Sequence, residues 1–544
     1  MRKHAHGLSR GKKWLAGALI LVAVAAGVLP FALSQFTGED ARLIQEGGEA
    51  DGRLRVQLRS LGAPQLLTLT LDGVYSLESD PGFRFARGSI LTVAYDEGSL
   101  LLDCGGMTID MGPNFTLTRH EAPEGELNGI IIEQASKTAL YNGDLELSAR
   151  GNGIGALLYI DLEEYLYGVV PYEMSDSWPL EALKAQAVAA RTYAMGRKSA
   201  RVAMDYDLVD TTADQVFKGF NPGYTNAVEA VDSTKGIVGM YNGSFATCYY
   251  GASNGGQTVM PDEVMKKTGD YGYLEVKDDP YDLENSKSVV RTMEISAQGG
   301  ELDPELTALL KAALSEQLAG MGCSEDAEDI RIVELLSLTT HEPKGREGSR
   351  MAQKLRVRLT IEARRWTDDE LGAFELLETP LEVDLELYSQ IKKTFSSMSI
   401  NSSDCELYTV YALYADGTEE QIPIAQTLSQ TEEDAADKQP VRFRIEARRF
   451  GHGVGMSQRG AQTMAGAHGL PYTDILLFYY PGIDLVRYAM PETELTDLDE
   501  LPEGLGAERV IRIPPKPTPA PLPALEAGEK YGYVVLEADS SALN

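Results

Sequence analysis

The chain has 544 residues, 43% of them hydrophobic, enough to bury a core across two or three ordinary domains and too many for a disordered chain. Against 49 lysines and arginines stand 82 aspartates and glutamates, a net charge of -33. A surface that acidic repels nucleic-acid phosphate, and no basic cluster offsets it, so nucleic acid is excluded as a partner.

Arg2, Lys3, Arg10, Lys12 and Lys13 precede an uncharged apolar run over residues 14–33. Twenty helical residues rise about 30 Å, the hydrocarbon thickness of a bilayer. The pattern predicts a basic cytoplasmic tail, residues 1–13, a single-pass transmembrane helix in the cell membrane, and an extracytoplasmic remainder. Ala32, Leu33 and Ser34 leave a cleavable signal peptide as the competing reading, with the same destination. Cys104, Cys248, Cys323 and Cys405 form no CxxC pair. They read as buried or free thiols, with one or two disulfides open to an exported chain.

From residue 52 to about 158 the pattern is mostly strand. Leu54, Val56 and Leu58 alternate with polar neighbours, as do Leu67, Leu69 and Leu71 before the turn Asp72-Gly73. Tyr141-Asn142-Gly143-Asp144 is a hairpin signal leading into Leu145 and Leu147. Helices then begin: Asp161 caps a short one ending at Tyr167, and Trp178-Pro179 opens a longer one to about Ser199. Residues 205–280 read as loops and short strands. Asp303-Pro304 starts a helix carrying Leu306, Leu309, Leu310, Ala313 and Leu314 and stopping at Gly320. Leu355, Val357, Leu359 and Ile361 mark the cleanest strand. A hairpin turns at Asp416-Gly417, residues 431–438 form an acidic loop, and a strand over residues 441–446 feeds a glycine-rich loop and a helix. Prolines between 514 and 519 read as an extended spacer. Strand-rich and helical blocks without a βαβ rhythm predict an α+β fold, an N-terminal transmembrane helix followed by one large mixed strand/helix domain with an inserted subdomain.

Two segments carry chemistry. In the first, Pro171-Tyr172-Glu173-Met174, the glutamate is expected in a loop ahead of the long helix, with Trp178 nearby. Apolar and aromatic neighbours disfavour the ionised form and raise a carboxyl's pKa, the property of a general acid near neutral pH. A solvated glutamate favoured by the helix dipole is the plainer alternative. On the helix itself Leu180, Leu183, Ala187 and Arg191 share one face. The second segment is Gly451-His452-Gly453-Val454-Gly455-Met456-Ser457-Gln458. Alternate glycines let a backbone bend sharply and approach a ligand, with His452, Ser457 and Gln458 as donors. A tight strand-to-helix turn with a satisfied histidine is the bland alternative. The segment lacks a phosphate loop's Gly-Lys-Ser/Thr ending, and no Gly-x-Ser-x-Gly elbow supports a serine hydrolase.

Both segments resemble the stage II sporulation protein D family, which shares its domain with the amidase-enhancer proteins of bacterial walls. The resemblance runs over residues 52–485. It implies a peptidoglycan lytic transglycosylase acting between N-acetylmuramic acid and N-acetylglucosamine, with the glutamate of the Pro-x-Glu-Met motif, here Glu173, as the catalytic residue. One carboxyl suffices for that chemistry. It protonates the glycosidic oxygen, then as carboxylate takes a proton from the muramyl 6-hydroxyl, which closes a 1,6-anhydro ring without water. A two-carboxylate hydrolase needs a second acid about 5–9.5 Å away, and Asp176 and Glu181 are near in sequence. Some family members carry a Cys/His metal cluster where this chain has Val209, Ala213 and Asp214, so no zinc site is expected there. The family's histidine-containing Ser-Gly-Gly loop resembles Tyr249-Tyr250-Gly251-Ala252-Ser253-Asn254-Gly255-Gly256, with Tyr250 in the histidine's place.

The expected domains are a first family-like part over 52–284, an inserted or extended α+β subdomain over 285–440, a second family-like part over 441–490 and a Pro-rich tail over 514–544. Glu173 is the expected general acid and base. Tyr172, Arg191, Tyr193, Ser253, Asn254, His452, Ser457 and Gln458 are the candidate glycan-binding residues, and Tyr172 and Trp178 are placed to stack on sugars. No metal and no cofactor is expected. Peptidoglycan glycan strands are the expected partner, with other wall hydrolases or sporulation membrane proteins as further candidates. A non-catalytic glycan-binding enhancer of a wall amidase is the alternative function.

Overall fold

The computed structural model describes residues 44–46, 53–391, 407–424 and 439–489, apart from Lys137, Glu347 and Asp369. Among these, the chain divides into two compact units. One is Leu61–Ala156; the other takes the chain up to Ser60 and from Leu157 onward.

The smaller unit is built of strands. Leu66–Asp72 lies antiparallel between Gly129–Ile132 and Ile90–Asp96, and the sheet continues through Ser99–Cys104 to Met107–Asp110. Leu67, Leu69 and Leu71 are fully buried while the threonines between them are half-exposed, so the sequence alternation maps directly onto the two faces. The turn expected at Asn142-Gly143 delivers the strand Asp144–Arg150, but that strand pairs with Asn114–Arg119, and Tyr141 bridges Ile130. It is a turn into a sheet, not a hairpin closed on the preceding strand.

At the centre of the larger unit runs the helix Leu180–Ala200. Ala185, Ala187, Ala189 and Ala190 are fully buried and point to different sides of it. The one-sided face expected from sequence is therefore too narrow. Small side chains all round let four elements approach, Thr225–Ser233, Ile237–Tyr241, Gln458–Gly466 and Tyr472–Tyr479. Ile237–Tyr241 pairs antiparallel with Asp484–Ala489, which in turn runs parallel to Ile44–Glu46. Leu54–Gln57 pairs with the C-terminal half of the strand ending at Ile160 and with Leu208–Val209. The short helix Leu162–Tyr167 carries the expected cap, the Asp161 carboxylate accepting the Glu163 N–H at 2.8 Å.

Residues 293–447 supply a hydrophobic core of their own. Helix Pro304–Gly320 is capped by Asp303, which accepts from the N–H groups of Glu305 and Leu306. Leu306, Leu310, Leu314 and Leu318 recur every fourth residue and are buried against Leu355, Val357, Leu359 and Ile361 of strand Ala352–Thr367 and Phe443 and Ile445 of strand Arg442–Arg448. The turn at Asp416-Gly417 joins Leu407–Leu413 to Glu419–Ile422 as a hairpin.

The mixed α+β character is as expected; the transmembrane helix attached to it needs correction. Among the described residues no helix is long and apolar enough to cross a membrane. The apolar run 14–33, the acidic loop 431–438 and the Pro-rich tail lie outside the described residues. Cys104, Cys248 and Cys323 are free and buried.

Leu359 is fully buried in the second core. Leu359→Ala removes packed atoms and leaves a cavity, so it lowers unfolding free energy by about 2–5 kcal/mol. Denaturant melts of wild type and variant measure it.

Candidate functional site

Glu173 ends a one-turn helix, Val170–Glu173, with Pro171 in its first turn, where the fixed proline φ suits the backbone. It does not lie in an open loop as expected. The side chain is half-buried, and its carboxyl is raised above the usual range. Burial is the main cause; hydrogen bonds from the Gln458 amide, the Val216 N–H and the Tyr250 hydroxyl pull the other way. Gln458 Nε2 lies 3.4 Å from Glu173 Oε2 and 3.3 Å from Gln186 Oε1 of the central helix. The Tyr250 hydroxyl accepts from Gln215 Nε2 at 3.0 Å, and Gln215 Oε1 accepts from the Tyr165 hydroxyl at 3.3 Å. The three groups that bond Glu173 are neutral. Glu173 therefore holds a proton more tightly than in water, while keeping donors ready for its ionised form.

The two sequence segments meet through a short parallel pairing of Tyr250–Gly251 with Met456–Ser457. Gly455, at φ +70°, permits it: a Cβ there would strike the Tyr249 carbonyl oxygen. Gly455 thus admits a neighbouring protein strand, and a Cβ at Gly453 would meet the Arg449 side chain, where the sequence suggested a ligand. Behind the pairing lie two fully buried carboxylates that sequence reasoning missed, Asp279 and Asp282. Asp282 accepts from the hydroxyls of Ser253 at 2.9 Å, Ser288 at 2.8 Å and Ser457 at 2.9 Å. Asp279 accepts from Asn254 Nδ2 and from the Tyr479 hydroxyl, each at 2.7 Å, and from the Asp282 N–H at 3.0 Å. Burial, then the neighbouring Asp282 charge, raises the Asp279 carboxyl to about 6.

This arrangement sorts the expected glycan-binding residues. Ser253, Asn254 and Ser457 are 2%, 1% and 1% exposed and spend their polar atoms on Asp279, Asp282 and local backbone. Their polar atoms are thus engaged inside the protein. Arg191 is engaged likewise. It is 0% exposed and grips Glu163 at 2.6 Å and the carbonyls of Val231 and Ile237. Tyr193 donates to Asp214 at 3.4 Å beside the Arg197 guanidinium. His452 takes the Val454 N–H on Nδ1 at 3.0 Å and meets Tyr249 edge-on. Burial pushes its imidazole down to about 4, with Arg449 and Lys267 adding to the fall, so at neutral pH it is an uncharged packing and hydrogen-bonding group. Gln458 and Tyr172 remain at the acid. Gln458 bonds it directly, and half-exposed Tyr172 precedes it, edge-on to Tyr224.

Asp176 and Glu181 are engaged elsewhere. Asp176 accepts the Ala227 N–H at 2.8 Å, and Glu181 the Tyr472 N–H at 2.9 Å while pairing with Lys184. In the segment around Val209, Asp214 takes Arg197 and Arg201, each at 2.7 Å, and the Val209 N–H at 3.0 Å. His341, Glu342 and Asp384 bring ligand atoms within 4.8 Å of one another. Arg356 and Lys354 already pair with those two carboxylates, at 2.9 and 2.8 Å.

Residues 150–241 match the family described as Stage II sporulation protein. The chain is 30% identical over 338 residues to the amidase enhancer of Bacillus subtilis (strain 168), covering 59% of this chain and 40% of that protein. It is 31% identical over 223 residues to an uncharacterized protein of Brachyspira hyodysenteriae, covering 39% and 55%. A third relative, stage II sporulation protein D of Bacillus subtilis (strain 168), is 33% identical over 150 residues, covering 24% and 44%. The matches thus span about half the length of these relatives or less.

Two titrations test the electrostatics. Tyr250→Phe removes a donor to the ionised Glu173, so its carboxyl pKa rises further, as read by carbon NMR of the labelled side chain. Asp279 binds its proton more tightly folded than unfolded, with a pKa of about 6 against the ordinary 3.8. Its stabilising contribution is complete below about pH 4 and is lost as pH rises through about 6, a component of about 3 kcal/mol. Asp279→Asn is destabilised throughout, and its stability-against-pH curve lacks that component.

Proposed function

We propose that this chain, which matches the Stage II sporulation protein family over residues 150–241, is a lytic transglycosylase of bacterial wall peptidoglycan with Glu173 as its single acid and base. The supporting observation is a half-buried carboxyl raised by burial and touched by neutral donors alone. In the proposed reaction the protonated Glu173 gives its proton to the oxygen between N-acetylmuramic acid and N-acetylglucosamine as positive charge grows on the ring. The resulting carboxylate is then stabilised by Gln458, Val216 and Tyr250. It takes the proton of the muramyl 6-hydroxyl, and that oxygen closes onto the anomeric carbon as a 1,6-anhydro ring. No second carboxylate is required, in keeping with the separate duties of Asp176 and Glu181. The site of action proposed is the wall, outside the cytoplasm, during sporulation.

A second reading draws on the relative named amidase enhancer, which aligns with more of this chain than the other two. There the protein holds wall glycan without cutting it and assists a separate amidase. One experiment separates the two. Purified protein is incubated with glycan strands, and the products are searched for anhydro-muramyl ends. Wild type releases them, and Glu173→Gln lowers the rate at least about 100-fold, since a positioned acid and base contribute about that much or more. Identical product profiles for the two proteins sink the enzymatic reading and favour the enhancer.

A further inference from the structure

Two cations lie over aromatic rings of the segment that carries Glu173, in an otherwise strongly acidic chain. Arg459 directly follows Gln458, which bonds the carboxyl, and its guanidinium lies 5.0 Å from the centre of the Trp178 ring. Lys218 comes two positions after Val216, which also bonds the carboxyl, and its ammonium lies 5.6 Å from the centre of the Tyr172 ring. Their backbones are fixed, the Arg459 N–H on the Ala252 carbonyl at 3.0 Å and the Lys218 N–H on the Gly168 carbonyl at 3.1 Å. Arg459 also reaches Gln462 Oε1 at 3.4 Å, a neutral partner. Lys218 is exposed and Arg459 half-buried. Among the described residues neither pairs with a carboxylate, whereas Arg55, Arg197, Arg201 and Arg356 each do.

We propose that Arg459 and Lys218 recognise a carboxylate on the glycan held at Glu173, so that the site selects acidic wall glycan over a neutral glycan of the same backbone. The inference rests on the wall-glycan reading given above. Cations laid on aromatic faces are pre-positioned, and a guanidinium fork matches a carboxylate. The aromatic rings beneath them suit the flat faces of sugars, so charge and stacking surfaces occur together. A protein with a net charge of -33 repels an acidic polymer, and local cations beside the acid offset that repulsion where the chain must thread. The carboxylate has two sources in peptidoglycan, the lactyl group of a muramyl residue without its peptide and the acids of an attached stem peptide.

Binding is measured by titration calorimetry with the full chain carrying Glu173→Gln, so that turnover plays no part. Four ligands are compared: glycan strands stripped of peptide, the same strands with their carboxyls amidated, peptide-bearing strands, and a neutral chitin oligomer. Stripped or peptide-bearing strands bind about tenfold more tightly than the amidated strands. The preference shrinks between about 50 and about 500 mM salt. Preference for stripped strands identifies the lactyl group, and preference confined to peptide-bearing strands identifies the stem peptide. Arg459→Gln with Lys218→Gln abolishes the preference, and Arg459→Lys retains part of it. A purely structural stacking role lowers thermal stability and the affinity for all four ligands alike, and that result overturns the proposal. Equal affinity for amidated and unmodified strands overturns it too. If the double variant does not fold, each single substitution must reduce the preference. Loss of the anhydro products alone leaves this measurement intact, so the two readings fail separately.

Discussion

The candidate site depends on two carboxylates buried away from any solvent. Asp282 alone accepts hydroxyl donors from Ser253, Ser288 and Ser457, three segments far apart in the chain. Only a group with several lone pairs can gather so many donors at one point. Removing it from water is costly, and the charge-assisted bonds offset that cost. Asp279 gathers Asn254 and Tyr479 in the same way, although there burial outweighs the bonds and leaves the carboxyl raised to about 6. The result is geometric. Ser457 caps helix Gln458–Gly466 through the Gly460 N–H at 3.0 Å, and the residue after that cap is Gln458, whose amide meets Glu173.

A second anchor serves the other side of the acid. Asp214 binds Arg197 of the central helix, Arg201 at its C-cap and the Val209 N–H. The next two residues are Gln215, which orients Tyr250, and Val216, whose N–H bonds Glu173. A charge pair to a rigid helix thus fixes a loop that would otherwise be free to drift. Gly460 completes the packing, since a Cβ there would strike the Tyr479 hydroxyl that bonds Asp279.

Local signals were legible in the sequence, and assembly was not. Asp161 and Asp303 cap where expected, because a cap needs only its own first turn. The strand around Leu359 and the leucines of Pro304–Gly320 follow from periodicity. The partner of Asp144–Arg150 did not, because a turn signal marks a change of direction and says nothing about which strand lies alongside. At the site, the motifs pointed to Glu173 and Gln458, whose side chains the fold brings within 3.4 Å of each other. Arg191, Ser253, Asn254 and Ser457 looked like ligand groups because polar residues in motifs look alike until burial is known. Tyr250 carried a signal that went unused. It stands where the resembled motif has a histidine, and its hydroxyl bonds Glu173. Asp279-Pro280 is a helix-start signal like Asp303-Pro304 and went unused; what the sequence could not show is that Asn254 and Tyr479 converge on Asp279, and Ser253 and Ser457 on Asp282.

A single carboxyl that both gives and takes a proton needs an environment balanced between two failures. A cation bonded to it would hold it ionised and remove the acid. A wholly apolar pocket would hold it protonated and remove the base. Glu173 has burial on one side of this balance and three neutral donors on the other. The nearby cations do not upset it, because Arg459 lies over Trp178 and Lys218 over Tyr172. Under the proposed reaction the aromatic faces hold that charge where an acidic sugar would pass.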